Sequence, residues 1–266
     1  MTSARKTAVV AGVFFLITEV TAIGALLLYR PVLGNPEYIV SASADDTGVL
    51  AGAFLEVLLA IAVVGTAVTL YPVIRRQHEG MALGHVAGRL IEATIIAVGA
   101  ISLLAVVTMR HNLGATTGAD ATAAVTVGQS LVAVHDWTFL FGPKLALGVN
   151  TVLLAYLMYR SQLVPRAIAV LGLIGGTLVF ASGTAVLFGL YEDLSVVGVS
   201  AAMPVLAWEL SVAIWMIVKG FRPSPVLARA ASSRTAAMAV EPDRRTDIEA
   251  VASASTGADG RVVTGR

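Results

Sequence analysis

The stretch LEVLLAIAVVGTAVTLYPVIRRQHEGMALGHVAGRLIEA, Leu55–Ala93, decides the fold. It joins two apolar runs across a short polar loop that begins at Arg75 and Arg76. Followed outward, the first run occupies residues 49–74 and the second residues 84–109. Each exceeds the roughly 20 mostly apolar residues that a helix needs to cross a bilayer. The same pattern recurs at residues 7–29, 138–159, 167–190 and 197–220. Lipid offers no hydrogen bonds to the backbone, so continuous runs of this length read as helices. Strands of a membrane barrel alternate over about ten residues and do not fit. The expected fold class is therefore all-α: a polytopic membrane protein, a six-transmembrane-helix bundle over residues 1–222.

Composition agrees. The 266 residues are 57% hydrophobic and 13% charged, with mean hydropathy +0.83. Soluble domains carry about 25% charged residues to cover their surface. A disordered chain, a nucleic-acid-binding protein and an ordinary cytosolic enzyme are excluded. The net charge of +1 suggests no polyanionic partner. The absence of cysteine removes disulfides and thiol chemistry, and four histidines leave few imidazole ligands.

Arg5 and Lys6 precede the first run as in a secretory signal, but the run is too long for one and Glu19 interrupts it. Loop charges set the orientation. Arg5, Lys6, Arg75, Arg76, Arg160, Arg166, Lys219 and Arg222 fall on one side, and Arg30 and Arg110 on the other. Both termini are expected in the cytoplasm. Residues 223–266, rich in Ala, Ser, Thr, Arg and Asp, read as a disordered cytoplasmic tail. The connection 30–48 is turn-rich. The connection 110–137 contains either a short interfacial helix or an outward extension of span four, with Trp137 at interfacial depth. Pro143 is expected to open span four and Pro204 to kink span six. Gly172 and Gly176 form a GxxxG in span five, a close-packing signal.

Six ionisable residues lie inside the spans: Glu19, Glu56, Arg89, Glu92, Lys144 and Glu209. A central charge costs about 2.5–3.5 kcal/mol on insertion scales, so these residues should face inward and pair. Arg89 and Glu92 are three apart and share a helix face. Glu209 lies near their depth, which predicts an Arg89–Glu92–Glu209 cluster. Glu56 and Lys144 share an outer depth, so Glu56 is expected either near that cluster or paired with Lys144. Glu19 is left without a cation, so burial favours its protonated form. Asn150 and Thr94 are candidate polar lining.

Two readings of these charges remain open at this point. In one they line a cavity for a small solute or a proton. In the other they are packing glue in a structural, sensory or accessory protein. A third, remote reading is an intramembrane hydrolase. No HExxH, HxxxH or GxSxG occurs, and only His111, Asp120, His135 and Asp136 could gather. No nucleotide loop is present. The sequence thus predicts no catalytic residue, metal or cofactor. The bilayer is the expected partner, with no nucleic acid, and the oligomeric state is open.

The quoted stretch resembles the central signature of a bacterial family of six-span membrane proteins of unknown function. In that family a Glu in span two, a Pro before an Arg-rich inner loop, and an RxxE in span three recur. The matching residues here are Glu56, Pro72, Arg75, Arg76, Arg89 and Glu92. HDWTFLFGPKLALGVNTVLLAYLMYRSQLVPRAIAVLGLIGG (His135–Gly176) is similar to its fourth and fifth spans. MPVLAWELSVAIWMIVKGF (Met203–Phe221), with Glu209 and Lys219, is similar to its last span. The resemblance covers residues 5–222 and implies a multi-pass protein of the bacterial plasma (inner) membrane. It implies no activity or substrate. Lys144 departs from the uncharged residue the family places after that Pro.

Overall fold

The computed structural model describes residues 3–41, 45–113 and 119–223. The helices are α1 (Ser3–Gly34), α2 (Thr47–Ile74), α3 (Glu79–Leu113), α4 (Ala119–Leu140), α5 (Leu147–Ser161), α6 (Arg166–Leu187) and α7 (Val196–Val218). A 3-10 turn covers Tyr38–Val40, and a π-helical segment, Phe141–Ala146, joins α4 to α5 without a break. Among the described residues there is no strand. Six helices are long and apolar enough to cross a membrane, α4 and α5 together making one of them, Asp120–Ser161. The chain is thus a multi-pass membrane protein whose apolar flanks contact lipid. The tail expected over 223–266 lies outside the described residues, apart from Pro223.

α2 shows how these helices choose a buried face. Gly52, Ala53, Glu56, Leu59, Val63, Thr66, Ala67 and Leu70 are buried at helical spacing. Leu50, Phe54, Val57, Ile61 and Val68 are exposed on the opposite side. Apart from Glu56 and Thr66, which lie on the buried side, both faces are apolar, so hydropathy separates them only weakly. Small residues mark the packed face because they let neighbouring backbones approach, and large ones mark the lipid face.

Neighbour relations close the bundle into a ring. α1 packs on α2, α2 on α3, α3 on α4 and α5, α5 on α6, α6 on α7, and α7 back on α1. Glycines set the closest approaches. A Cβ at Gly12 would lie 2.8 Å from the Ala213 carbonyl oxygen, and one at Gly176 2.9 Å from that of Gly148. The GxxxG of α6 is used within the chain: Gly176 meets α5, and Gly172 seats the Trp208 indole of α7.

The ends are tied by side chains. Arg5 donates to the carbonyls of Met216 (2.8 Å), Ile217 (2.6 Å) and Val218 (3.1 Å). These are unpaired acceptors at the C-terminus of α7, where a cation also suits the helix dipole. At the opposite face Asp46, just before α2, accepts from the Tyr38 hydroxyl at 2.8 Å. Its Oδ2 lies 2.7 Å from His111 Nε2 and pairs with Arg110. Arg110 also donates to the Ser41 carbonyl at 2.9 Å. Burial acts to raise the pKa of Asp46. The Tyr38 and His111 hydrogen bonds and the Arg110 charge outweigh it and hold the carboxyl below its ordinary value. This clasp fixes the turn-rich connection against α3.

Two expectations change. Pro143 does not open a span; it sits in the π segment, in the middle of a long helix. A π turn accommodates the missing proline N–H without ending the helix. The interfacial-helix alternative for 110–137 gives way to the outward extension, since α4 begins at Ala119. Trp137 stands 51% exposed on that extension.

Candidate functional site

The site starts from two residues one turn apart on α3. Arg89 Nη1 donates to Glu92 Oε1 at 3.1 Å and Oε2 at 3.3 Å. Arg89 Nη2 donates to Glu209 Oε1 on α7 at 3.4 Å. Arg89 is 2% exposed, and its guanidinium lies 5.9 Å from the Phe15 ring centroid. Planar forks suit such pairing, because one cation serves two carboxylates with directed donors. Asn150 on α5 donates to Glu92 Oε2 at 3.0 Å. Gly88 makes that possible: a Cβ there would fall 2.0 Å from Asn150 Oδ1.

Glu19 reaches in from α1 and lines the same space as Glu209. Glu56 on α2 accepts from the Tyr29 hydroxyl at 2.9 Å, and its Oε1 lies 3.7 Å from His135 Nε2. The Tyr29 and His135 rings meet edge to face at 5.3 Å. Lys144, in the π segment, pairs with Asp193 in the α6–α7 connection.

The expected Glu56–Lys144 pair is therefore corrected. Depth along a helix does not give azimuth: the π segment sends Lys144 toward Asp193, while Tyr29 and His135 occupy Glu56. Thr94 donates to the Leu90 carbonyl on an exposed face and does not line the site. The outer His/Asp gathering does not form either, since His111 joins the Asp46 clasp and His135 joins Glu56. Among the described residues no group of three His, Asp or Glu is placed to hold a metal.

A cavity of about 260 Å³ lies within the ring. Glu19, Glu56, Arg89, Glu92, Lys144 and Glu209 all line it. Tyr29 and His135 add polar groups, and most of the remaining wall is apolar, including Leu59, Ile96, Phe139 and Val205. Four acids and two cations thus converge from α1, α2, α3, α7 and the π segment on one space within the ring.

Residues 10–220 match the profile of a domain of unknown function, DUF4386. The chain belongs to the DUF4386 family. The matched region takes in α1 from Val10 onward, all of α2 to α7, and every charge on the cavity, in agreement with the resemblance to a six-span membrane family carried by Leu55–Ala93. No curated protein and no solved structure matches the chain.

Within this DUF4386 domain, sequence reasoning missed two cavity-side groups. His135 was placed in an outer connection because span four was started at Thr138. Following the apolar pattern of α4 outward would have carried His135 into the bundle. Tyr29 closed span one as a boundary residue, yet it is 1% exposed. Gly52 is its signal: a Cβ there would sit 2.6 Å from the Tyr29 ring.

Proposed function

We propose that this DUF4386 protein binds a small solute or a proton in its central cavity and carries it across the membrane. The observation behind this reading is the cavity itself, with its excess of acids. A packing network would close around its charges. Here about 260 Å³ stays open beside them, room for several waters at about 30 Å³ each. Intramembrane ionisable residues mark solute and proton pathways more often than they serve packing alone. Glu19 and Glu209, which both line the cavity, are the natural exchangers.

We also read the protein as a resident of the bacterial plasma membrane with both termini in the cytoplasm, on the asymmetry of Lys and Arg between the two loop faces. A reporter fluorescent only in the cytoplasm, fused after Arg266, should light up; a dark, stably expressed fusion would reverse the orientation.

The transport reading is tested in liposomes containing the purified protein and an internal pH dye. An imposed pH gradient should collapse faster than in empty liposomes, and Glu209→Gln should slow that collapse at least tenfold. Equal flux from wild type and Glu209→Gln, or flux no greater than in empty liposomes, sinks the proton pathway.

A further inference from the structure

We infer that a proton enters and leaves the central cavity through His135, whose imidazole relays it between Asp136 on the outer side and Glu56 inside. This rests on the cavity being a transport site, and it names both the species that crosses this end and the residue that passes it.

A second cavity, of about 420 Å³, adjoins the first toward the α6–α7 connection, the end read above as outer. Asp136, Trp137, Glu192 and Leu194 of its wall are exposed, so it forms a vestibule. Asp136, Glu192 and Asp193 line it and no Lys or Arg does, so its field favours cations, protons among them. Leu26, His135 and Phe139 line both cavities. Two of these side chains are hydrocarbon. His135 is the shared wall residue that can take up a proton and release it. Lys144 and Asp193 also meet near this boundary. There the ammonium donates back to Asp193, to its carboxylate and, at 3.5 Å, to its carbonyl, both on the vestibule side.

The ring faces a carboxylate on each side. Nε2 lies 3.7 Å from Glu56 Oε1, and Nδ1 lies 3.7 Å from Asp136 Oδ1. Glu56 lines the central cavity and Asp136 the vestibule. Tyr29 holds Glu56 by Oε2, at 2.9 Å, which leaves Oε1 toward the ring. Both gaps are just beyond hydrogen-bond length, so a small movement of the ring closes either. Nδ1 is buried with no hydrogen-bond partner in the protein. A histidine kept for packing normally has its buried nitrogens bonded. Tyr29 on α1, Glu56 on α2 and Asp136 on α4 are the titratable groups placed against the ring. α3 offers it Gly99, where a Cβ would lie 3.4 Å from His135 Cδ2.

A neutral imidazole carries one N–H and one bare nitrogen, which suits it to pass a proton along. A proton arriving from Asp136 binds Nδ1 while the Nε2 proton passes to Glu56 Oε1. One N–H bond forms and one breaks, and reorientation of the ring restores the starting arrangement with no other reagent. From Glu56 the proton is on the same cavity as Glu19, Glu92 and Glu209.

Two measurements on the full-length protein in liposomes test the relay. The first is the pH-gradient assay with His135→Gln, which keeps bulk and hydrogen bonding but cannot relay. Its flux should fall at least tenfold below wild type. Asp136→Asn, at an exposed position, should also slow the flux. The second is solid-state nuclear magnetic resonance of wild type made with carbonyl-labelled valine and nitrogen-labelled histidine. His135 is the one histidine that follows a valine, so its ring can be followed apart from the other three. Its proton should exchange between Nδ1 and Nε2. Undiminished flux in folded His135→Gln overturns the inference, as does a ring locked in one tautomer at every pH from about 5 to 8. The resonance reading uses wild type, so it decides the matter even if the variant misfolds. Flux that depends on Glu209 but not on His135 removes the relay and leaves the transport reading standing. Wild-type flux no greater than in empty liposomes removes the proton pathway and the relay with it.

Discussion

Arg89→Ala is expected to remove most of the folded yield in detergent and to lower the unfolding temperature of the remainder by about 10 °C or more. The reason is asymmetry. Breaking a buried pair by deleting one partner costs about 3–5 kcal/mol, because the other charge stays buried without compensation. Here one cation serves two acids. Glu92 retains only the Asn150 amide, and Glu209 loses the guanidinium that pairs with it. Folded domains are stable by about 5–15 kcal/mol, so the loss is a large fraction of the total. At about 2–4 °C per kcal/mol for a domain of this size, the shift follows. Arg89→Lys keeps the charge but loses the fork that reaches both carboxylates, and should fall between wild type and alanine. Fluorescence-detected size exclusion after a heating series measures all three. Wild-type yield and melting for Arg89→Ala would mean that the carboxylates do not depend on Arg89.

The same residues show what the sequence made legible. Six spans were readable because length and hydropathy are properties of single segments, and lipid leaves the backbone one way to satisfy itself. Arg89 and Glu92 were readable as neighbours because a spacing of three fixes a shared helix face. Lys144 was not. Its depth matched Glu56, but its azimuth depends on the π segment at Phe141–Ala146 and on where the α6–α7 connection places Asp193. Both are tertiary facts. His135 stays hidden behind a boundary: the sequence leaves the outward extension of span four open as one of two readings, and only that extension carries His135 into the bundle. Pro143 misled for a related reason: proline ends helices in water, whereas neighbouring helices and π turns accommodate it in membrane spans. Along α2 the buried face is marked by Glu56 and Thr66 together with the small Gly52, Ala53 and Ala67, against large side chains at Leu50, Phe54 and Ile61.

Size also sets the second large effect. Gly175→Leu is expected to leave almost no folded protein. A Cβ at Gly175 would lie 2.7 Å from the Val205 backbone nitrogen, 2.8 Å from the Pro204 carbonyl carbon and 2.8 Å from the Val205 Cα. These neighbours are backbone, so no rotamer change relieves the clash, and α6 and α7 must separate. Separation opens the seat of Trp208, which Gly172 provides one turn earlier, and shifts Glu209 away from Arg89. Gly175→Ala adds a single methyl and should still destabilise, because even that atom sits within 3 Å of main chain. Gly84 is the control. It is exposed on α3, and its Cβ would find its nearest neighbour, a Leu153 methyl, at 4.0 Å. Gly84→Ala should therefore be neutral or slightly stabilising, as the gain in helix propensity is about 1 kcal/mol. The two alanine variants differ only in what the new methyl meets. Equal melting temperatures for Gly175→Ala and Gly84→Ala would refute the close approach of α6 and α7. A gap between them, with Gly175→Ala the lower, would place the strain at the α6–α7 contact that holds Glu209 against Arg89.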